Sequence, residues 1–215
     1  ISMACGVNLM LASPSLVVAS IAGMLSADGR CKTLDQSADG YVRAEACQSV
    51  VVDGTSDAMT DASCVSMVGS AVNQDGRSSS LTAPNGPSQQ MVLQRALQSA
   101  QLSAEDILGV QMHGTGTPLG DPIEVGALNA VLMDKRVNEH PLTLAAGKSG
   151  IGHTEPGAGA AGLIHSIEAL IIAISTFAPF TTAQLIVHNS QPITTILVLR
   201  FHRYPHTNIL AVSYT

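Results

Sequence analysis

Residues 113–124 read His113-Gly114-Thr115-Gly116-Thr117-Pro118-Leu119-Gly120-Asp121-Pro122-Ile123-Glu124 and mark a change of periodicity in the chain. The short apolar run before them, residues 107–112, reads as a strand, introduced by the turn residues Ser103 to Asp106. The residues after them, 122–133, read as a helix: Asp121 is placed to cap, Pro122 sits at the first helical position, and Glu124 can close a capping box. His113 therefore falls just past the carboxyl end of a strand, where α/β sheets gather their chemistry.

A second stretch repeats the arrangement. Lys148-Ser149-Gly150-Ile151-Gly152-His153-Thr154-Glu155-Pro156 follows an apolar run at 142–146 and precedes a helical pattern at 157–174. Either histidine alone reads more readily as structural than as catalytic. Two similar turns in consecutive strand–turn–helix units, however, bring both imidazoles to one edge of one sheet and point to a shared site.

Outward from these turns, strand patterns at 47–53 and 65–72 and a helical pattern at 88–101 complete an α/β alternation. The helix at 157–174 opens Gly157-Ala158-Gly159-Ala160-Ala161-Gly162, and each interior glycine costs roughly 1 kcal/mol of helix propensity against alanine. Close approach of another backbone would compensate, so this is expected to be a buried central helix. Residues 176–215 contain no Asp or Glu, and their apolar runs at 196–201 and 209–212 show weaker periodicity.

With 46% apolar and 12% charged residues, a 215-residue chain can bury one sizeable core, built here of small and aliphatic side chains around many glycines. The net charge of −6 and the absence of a Lys/Arg cluster argue against nucleic acid as a partner. Cys5, Cys31, Cys47 and Cys64 form no C-x-x-C pair, which disfavours a zinc ribbon or a disulfide scaffold and suits a reducing, cytoplasmic setting. No apolar run is long enough to cross a membrane; residues 160–175 are interrupted by His165 and Glu168. The chain begins at Ile1, so a targeting segment can lie upstream.

Three nucleotide-binding patterns fail on spacing or context. Gly147-Lys148-Ser149 ends like a phosphate-binding loop, but Leu142 stands where the first glycine is needed. Gly157 to Gly162 satisfies G-x-G-x-x-G, yet no acid follows Glu168 to hold a ribose, so close helix packing is the better reading. Gly114-Thr115-Gly116 is followed by Gly120, one place too late. No metal site is expected: Pro205 breaks the spacing of His202 and His206, which read as surface histidines in a loop. Cys5 reads as a small buried apolar residue.

The two histidine turns resemble the two histidine motifs of β-ketoacyl synthases, in order and in separation. Residues 23–46, 69–90 and the Gly6-Val7-Asn8-Leu9-Met10-Leu11 segment are similar to the polyketide-synthase branch of that family, and the match runs from about Val7 to about Leu170. Ala211-Val212-Ser213 is similar to the strand that leads into the family's final glycine-rich loop.

This resemblance implies a thiolase-like, layered α/β/α/β/α fold of two similar halves, typically dimeric. Residues 1–215 would form a partial ketosynthase domain, mainly the second half, with 176–215 a weakly matching tail; an uncovered sheet and apolar face would make such a piece poorly soluble. The final glycine-rich loop and the nucleophilic cysteine, in an A-C-S-S-S context, are not in this chain. Cys5 aligns with a position, just before the Gly6–Leu11 segment, that is usually glycine, and does not inherit the role. Ala44 and Ala46 replace glycines of a G-E-G turn, where strain is expected, and Gly150 replaces an asparagine.

The implied reaction is decarboxylative Claisen condensation of an acyl thioester with a malonyl-type thioester, in polyketide or fatty-acid biosynthesis. Both substrates ride on the phosphopantetheine of acyl carrier protein, the partner implied, and no cofactor is bound directly. His113 and His153 would stabilise the enolate oxygen. Lys148 would set the local field; the alternative is a solvated lysine. Thr115 and Thr117 would hydrogen-bond the pantetheine arm; the alternative is that they satisfy the turn backbone. Glu155 reads as a helix-start acid and His165 as a polar-face residue. A degenerate module kept for dimer or carrier-protein contacts is the competing function, supported by Ala44, Ala46 and Gly150. A degradative thiolase is disfavoured by the length of the polyketide-like segments. The 215-residue chain by itself is expected to form no acyl-enzyme, because acyl transfer needs a thiolate; mass-spectrometric detection of an acyl adduct on Cys5 overturns this.

Overall fold

The computed structural model describes residues 1–54, 65–78, 83–134, 136, 141–176, 182–189 and 193–202. Cys64, His206 and the runs at 209–212 and 211–213 lie outside them. Strand β1 (Ser2–Asn8) pairs antiparallel with β2 (Ala46–Val52), and helix α1 (Pro14–Ile21) lies between them in sequence. Alternation along this pair puts Met3, Cys5 and Val7 on one exposed face with Cys47, Ser49 and Val51, while Gly6 and Asn8 turn inward.

The larger sheet contains β3 (Val65–Gln74), β4 (Gly109–Gln111), β5 (Thr143–Ala145), β6 (Thr182–Asn189) and β7 (Ile193–His202), in the order β3-β7-β6-β4-β5. β4 runs parallel to both β5 and β6, whereas β7 is antiparallel to β6 and β3. Around it stand α2 (Gly86–Ala100), α3 (Gly120–Leu128), the single turn α4 (Lys148–Ile151) and α5 (Ala158–Thr176).

The sheet is apolar on both faces because a helix covers each. Ile196 and Val198 of β7, with Val110 of β4 and Met112 just after it, pack against Val92, Leu93, Ala96 and Leu97 of α2 and Leu128 of α3. Leu197 and Leu199 point the other way, to a second cluster that contains Val187 of β6 and Leu163 and Ile167 of α5. A strand buried on two sides reads as a continuous apolar run, which explains the sequence at 196–199. His202 ends this strand rather than lying in a loop. β6 follows from its pairing with β4 and β7 and was not expected from the weak pattern of the tail.

Element edges differ from expectation for local reasons. β4 begins two residues late because a 3-10 turn (Ala104–Asp106), closed by Ser103 and Asp106 as a capping box, still holds the Ile107 N–H on Ala104 O. The helix at 122–133 becomes α3 followed by a π-helical turn (Asn129–Met133), which keeps Leu132 in the core. The glycine-rich start of α5 is close-packed, as expected: a Cβ on Gly6 would come within 2.8 Å of Gly157 Cα, and one on Gly162 would touch Gln111 and Val187 at 3.6 Å.

Two glycine substitutions test these contacts in opposite directions. A Cβ on Gly69 would sit 2.7 Å from both Cβ and N of Ala100, so Gly69→Ala is expected to cost about 1–3 kcal/mol. Gly126 in α3 has open space around it, and Gly126→Ala is expected to add up to about 1 kcal/mol. Urea unfolding of both variants checks this; equal midpoints would mean that β3 and α2 do not approach so closely.

Candidate active site

β4 and β5 are adjacent parallel strands, so the segments leaving their carboxyl ends start side by side. The Met112 N–H donates to Ala145 O at 2.7 Å and keeps the two together for one residue more. The first loop then turns at Gly114 (φ 45°) and Gly116 (φ 76°), and a Cβ on Gly116 would lie 2.5 Å from Lys32 N. That close approach belongs to a strap, residues 31–45, which also touches the loop through Thr33 Oγ1 donating to Gly114 O at 2.7 Å and Gly40 N–H donating to Gly116 O at 3.1 Å.

Asp121 and Glu124 correct the capping-box expectation. Helix α3 starts at Gly120 without a side-chain cap, and both carboxylates turn back into the loop. Glu124 accepts the N–H groups of His113 at 2.7 Å and Gly114 at 2.9 Å; Asp121 accepts those of Gly116 at 3.1 Å and Leu34 at 3.0 Å. Both are buried. Burial pushes the Asp121 carboxyl above the usual range, against the opposing pull of its backbone donors.

Lys148 is buried on α4 and is not a solvated lysine. Its Nζ donates to His113 O at 2.7 Å and lies 3.5 Å from His113 Nδ1. Burial lowers its pKa to about 8, although Glu124, Cys31 and Asp121 favour the charged form.

His153 follows Gly152 (φ 79°) and is laced to the strap by its backbone: its N–H donates to Val42 O at 2.7 Å, and its carbonyl accepts from Ala44 N–H at 2.9 Å. The imidazole is buried edge-on between the rings of Tyr41 and His113, with centroid separations of 5.2 and 5.4 Å and an interplanar angle of 88° to His113. Its Nδ1 accepts the Glu155 N–H at 3.1 Å, which places the ring proton on Nε2. Burial first, then repulsion from Lys148 and Arg43, lowers its pKa to about 3, so the ring is neutral at physiological pH.

Thr115 is buried in the first loop, and Thr117 Oγ1 accepts the Gly120 N–H at 3.1 Å, a turn-satisfying role. Glu155 opens a 3-10 turn (Glu155–Gly157) that leads into α5, as a helix-start acid would, and its carboxylate forms a bidentate pair with Arg43. The exposed His165 shares a 2.8 Å contact between Nδ1 and Gln111 Oε1. Cys5 is exposed rather than buried, because it falls on the outward face of β1. Ala44 and Ala46 show no positive φ, so the strain anticipated there is absent, and Gly150 is exposed with open space around it.

No sequence pattern marks Arg43, Tyr41 or Cys31 as part of this site. The Cys31 thiol is buried in the strap against Val42 and is pushed up by desolvation. A cavity of about 520 Å³ opens beside Tyr41, lined by Met10, Leu11, Leu16, Leu25 and Val42. Among the described residues there is no cluster of three metal-ligating side chains, and no helix is long and apolar enough to cross a membrane.

Solved ketosynthase structures share this architecture, a thiolase-like α/β fold. The ketosynthase from module 6 of the bacillaene synthase from Bacillus subtilis 168 matches with a TM-score of 0.85 at 27% identity, over 94% of this chain and 42% of that one. The family model "Beta-ketoacyl synthase, C-terminal domain" matches residues 64–176 and its N-terminal counterpart residues 1–58; the chain belongs to the β-ketoacyl synthase family. Among curated relatives, a phenolphthiocerol/phthiocerol polyketide synthase of Mycobacterium tuberculosis is 49% identical over 167 residues, 77% of this chain and 8% of that protein. The pikromycin polyketide synthase component PikAII of Streptomyces venezuelae is 46% identical over 79% of this chain and 5% of its own length. The chain thus spans less than a tenth of these relatives.

Neutrality of the His153 ring sets a pH dependence for stability. The folded ring takes up its proton near pH 3, and an unfolded histidine does so near pH 6.5, so between these values the unfolded state binds more protons and stability falls with falling pH. The loss should approach about 1.4 kcal/mol per pH unit from this group. Urea unfolding of the protein and of His153→Gln between pH 7 and pH 4 should show a shallower acid slope in the variant; parallel slopes would mean that the ring is protonated in the fold.

Proposed function

We propose that the protein carrying this segment is a β-ketoacyl synthase that joins an acyl thioester to a malonyl-type thioester by decarboxylative Claisen condensation, in polyketide or fatty-acid biosynthesis. The observation that supports it best is the perpendicular pair of buried imidazoles, 5.4 Å between centroids, delivered by adjacent parallel strands beside a buried lysine.

The difficult step is cleavage of the malonyl carbon–carbon bond. Carbon dioxide leaves, and the electron pair passes into the thioester as an enolate whose oxygen carries the charge. Donors already fixed where that charge develops stabilise it without reorganisation, each worth about 3 kcal/mol. His153, neutral with its proton on Nε2, is such a donor, and His113 beside it is the second. Lys148 adds positive potential and, by repulsion, helps to keep His153 neutral. The enolate carbon then attacks an acyl group carried as a cysteine thioester; the new carbon–carbon bond forms and the thiolate departs. That cysteine belongs to the part of the ketosynthase that this chain does not span.

The partner is acyl carrier protein, whose phosphopantetheine arm would pass Thr115 and Thr117; Thr117 keeps its hydroxyl hydrogen for this, since its oxygen is the acceptor for Gly120. The cavity beside Tyr41, largely apolar but with Ser13, Ser26 and Arg43 also in its wall, suits an acyl chain. In the parent, the working form is a homodimer.

In the intact synthase, His113→Ala and His153→Ala are each expected to lower malonyl-thioester decarboxylation at least a hundredfold, the loss that accompanies removal of one oxyanion donor. Release of carbon dioxide from labelled malonyl carrier protein measures this, and near-normal rates in either variant would remove the oxyanion assignment.

A further inference from the structure

Glu155 has φ of 45°, a left-handed conformation that residues other than glycine adopt rarely. Glycine would take it freely, and yet a long acidic residue stands there. The conformation has a consequence for the neighbouring ring, because it is the Glu155 N–H that lies 3.1 Å from His153 Nδ1. With the chain held on both sides, residue 155 can relax to negative φ only by a flip of the 154–155 peptide, in which ψ of Thr154 changes with it; that flip would turn the N–H away and leave Nδ1 free to carry the ring proton.

The Glu155 side chain is held from outside its own loop. Arg43 Nε donates to Oε1 at 2.9 Å and Nη2 to Oε2 at 2.7 Å, a two-point contact that fixes the carboxylate in direction as well as distance. The Arg43 side chain is itself 8% exposed and is anchored by Nη1 donating to Ser15 Oγ at 2.8 Å. Its backbone lies opposite His153 in a parallel bridge, flanked by the hydrogen bonds of Val42 and Ala44 to His153. The strap therefore grips His153 through the main chain of Val42 and Ala44, and Glu155 through the side chain of Arg43 between them.

We propose that Arg43 is a positioning residue for His153: its pair with Glu155 holds residue 155 left-handed, aims the Glu155 N–H at Nδ1 and so keeps the ring proton on Nε2. This rests on the reading of His153 as the neutral donor of the condensation site, and it adds to that reading the group that sets the tautomer. The rings of His113 and Tyr41 lie against the His153 ring and the charges of Lys148 and Arg43 act on it, and of these four Arg43 is the one that contacts Glu155 in the contacts described.

The test is the tautomer, read by ¹⁵N–¹H correlation spectra of the full chain labelled at its histidine rings, with His153→Gln to assign the signal. The native protein should show His153 with Nε2 protonated and Nδ1 bare. Arg43→Met should move it toward the Nδ1–H form, and adding Glu155→Gly, which makes φ of 45° free of strain, should restore the Nε2–H form. An unchanged tautomer in Arg43→Met, or no restoration by glycine, overturns the proposal. Arg43→Lys keeps the charge without the fork and should give a mixture, so a pure Nε2–H signal there also overturns it, even where Arg43→Met does not fold. Decarboxylation by the intact synthase should drop at least tenfold in Arg43→Met and recover in the double variant. The expected tautomer pattern without decarboxylation in any protein, native included, upholds the positioning role and refutes the catalytic reading.

Discussion

Burying one ammonium group at the meeting of two loops constrains everything around it. An ion moved out of water needs opposite charge and acceptors close by. Lys148 finds the carbonyl of His113 within 2.7 Å and the field of Glu124, which itself holds the N–H groups of His113 and Gly114. The loop is thus fastened on two sides, by a carboxylate at its amides and a cation at its carbonyl. The same cation adds to burial in disfavouring protonation of His153, so a single buried charge shapes one loop and bears on the ionisation of the other.

The sheet makes this possible by adjacency, and the strap makes it rigid. Parallel β4 and β5 release their loops next to each other, which brings the rings near but does not orient them. Orientation comes from residues 31–45, which lie against Gly116, donate to Gly114 and bridge the backbone of His153. The first loop is fastened partly by its own Thr117 and Asp121, and the strap completes the hold at the turns where glycines leave no side chain to pack.

Much of this was legible in the chain. The turns around His113 and His153 could be placed because each interrupts an apolar run and precedes a helical pattern, and the glycine-rich opening of α5 announced close packing. What escaped was whatever depends on distance along the chain. Arg43 and Glu155 are 112 residues apart, and no local pattern links them. Asp121 and Glu124 carry a spacing that suits a capping box, but the open amides of the loop, fixed by tertiary contacts, compete for them and win. β6 has only a weak pattern of its own and exists through its neighbours on both sides.

The alanine at position 44 shows how a departure from the family pattern is absorbed. Its backbone has no positive φ and donates to His153, so the methyl group brings no strain to its own residue. The constraint passes instead to Gly152, where an added Cβ would lie 2.9 Å from Ala44 Cβ and where φ is 79°. Gly152 is therefore held to glycine twice, by conformation and by the methyl across from it, one residue before the imidazole that the site depends on. Gly150, the other substituted position nearby, faces open space and carries neither constraint. Tolerance in this site thus follows geometry: a change is absorbed where it meets backbone that is already extended or open, and residues that turn the chain beside His153 have no such latitude.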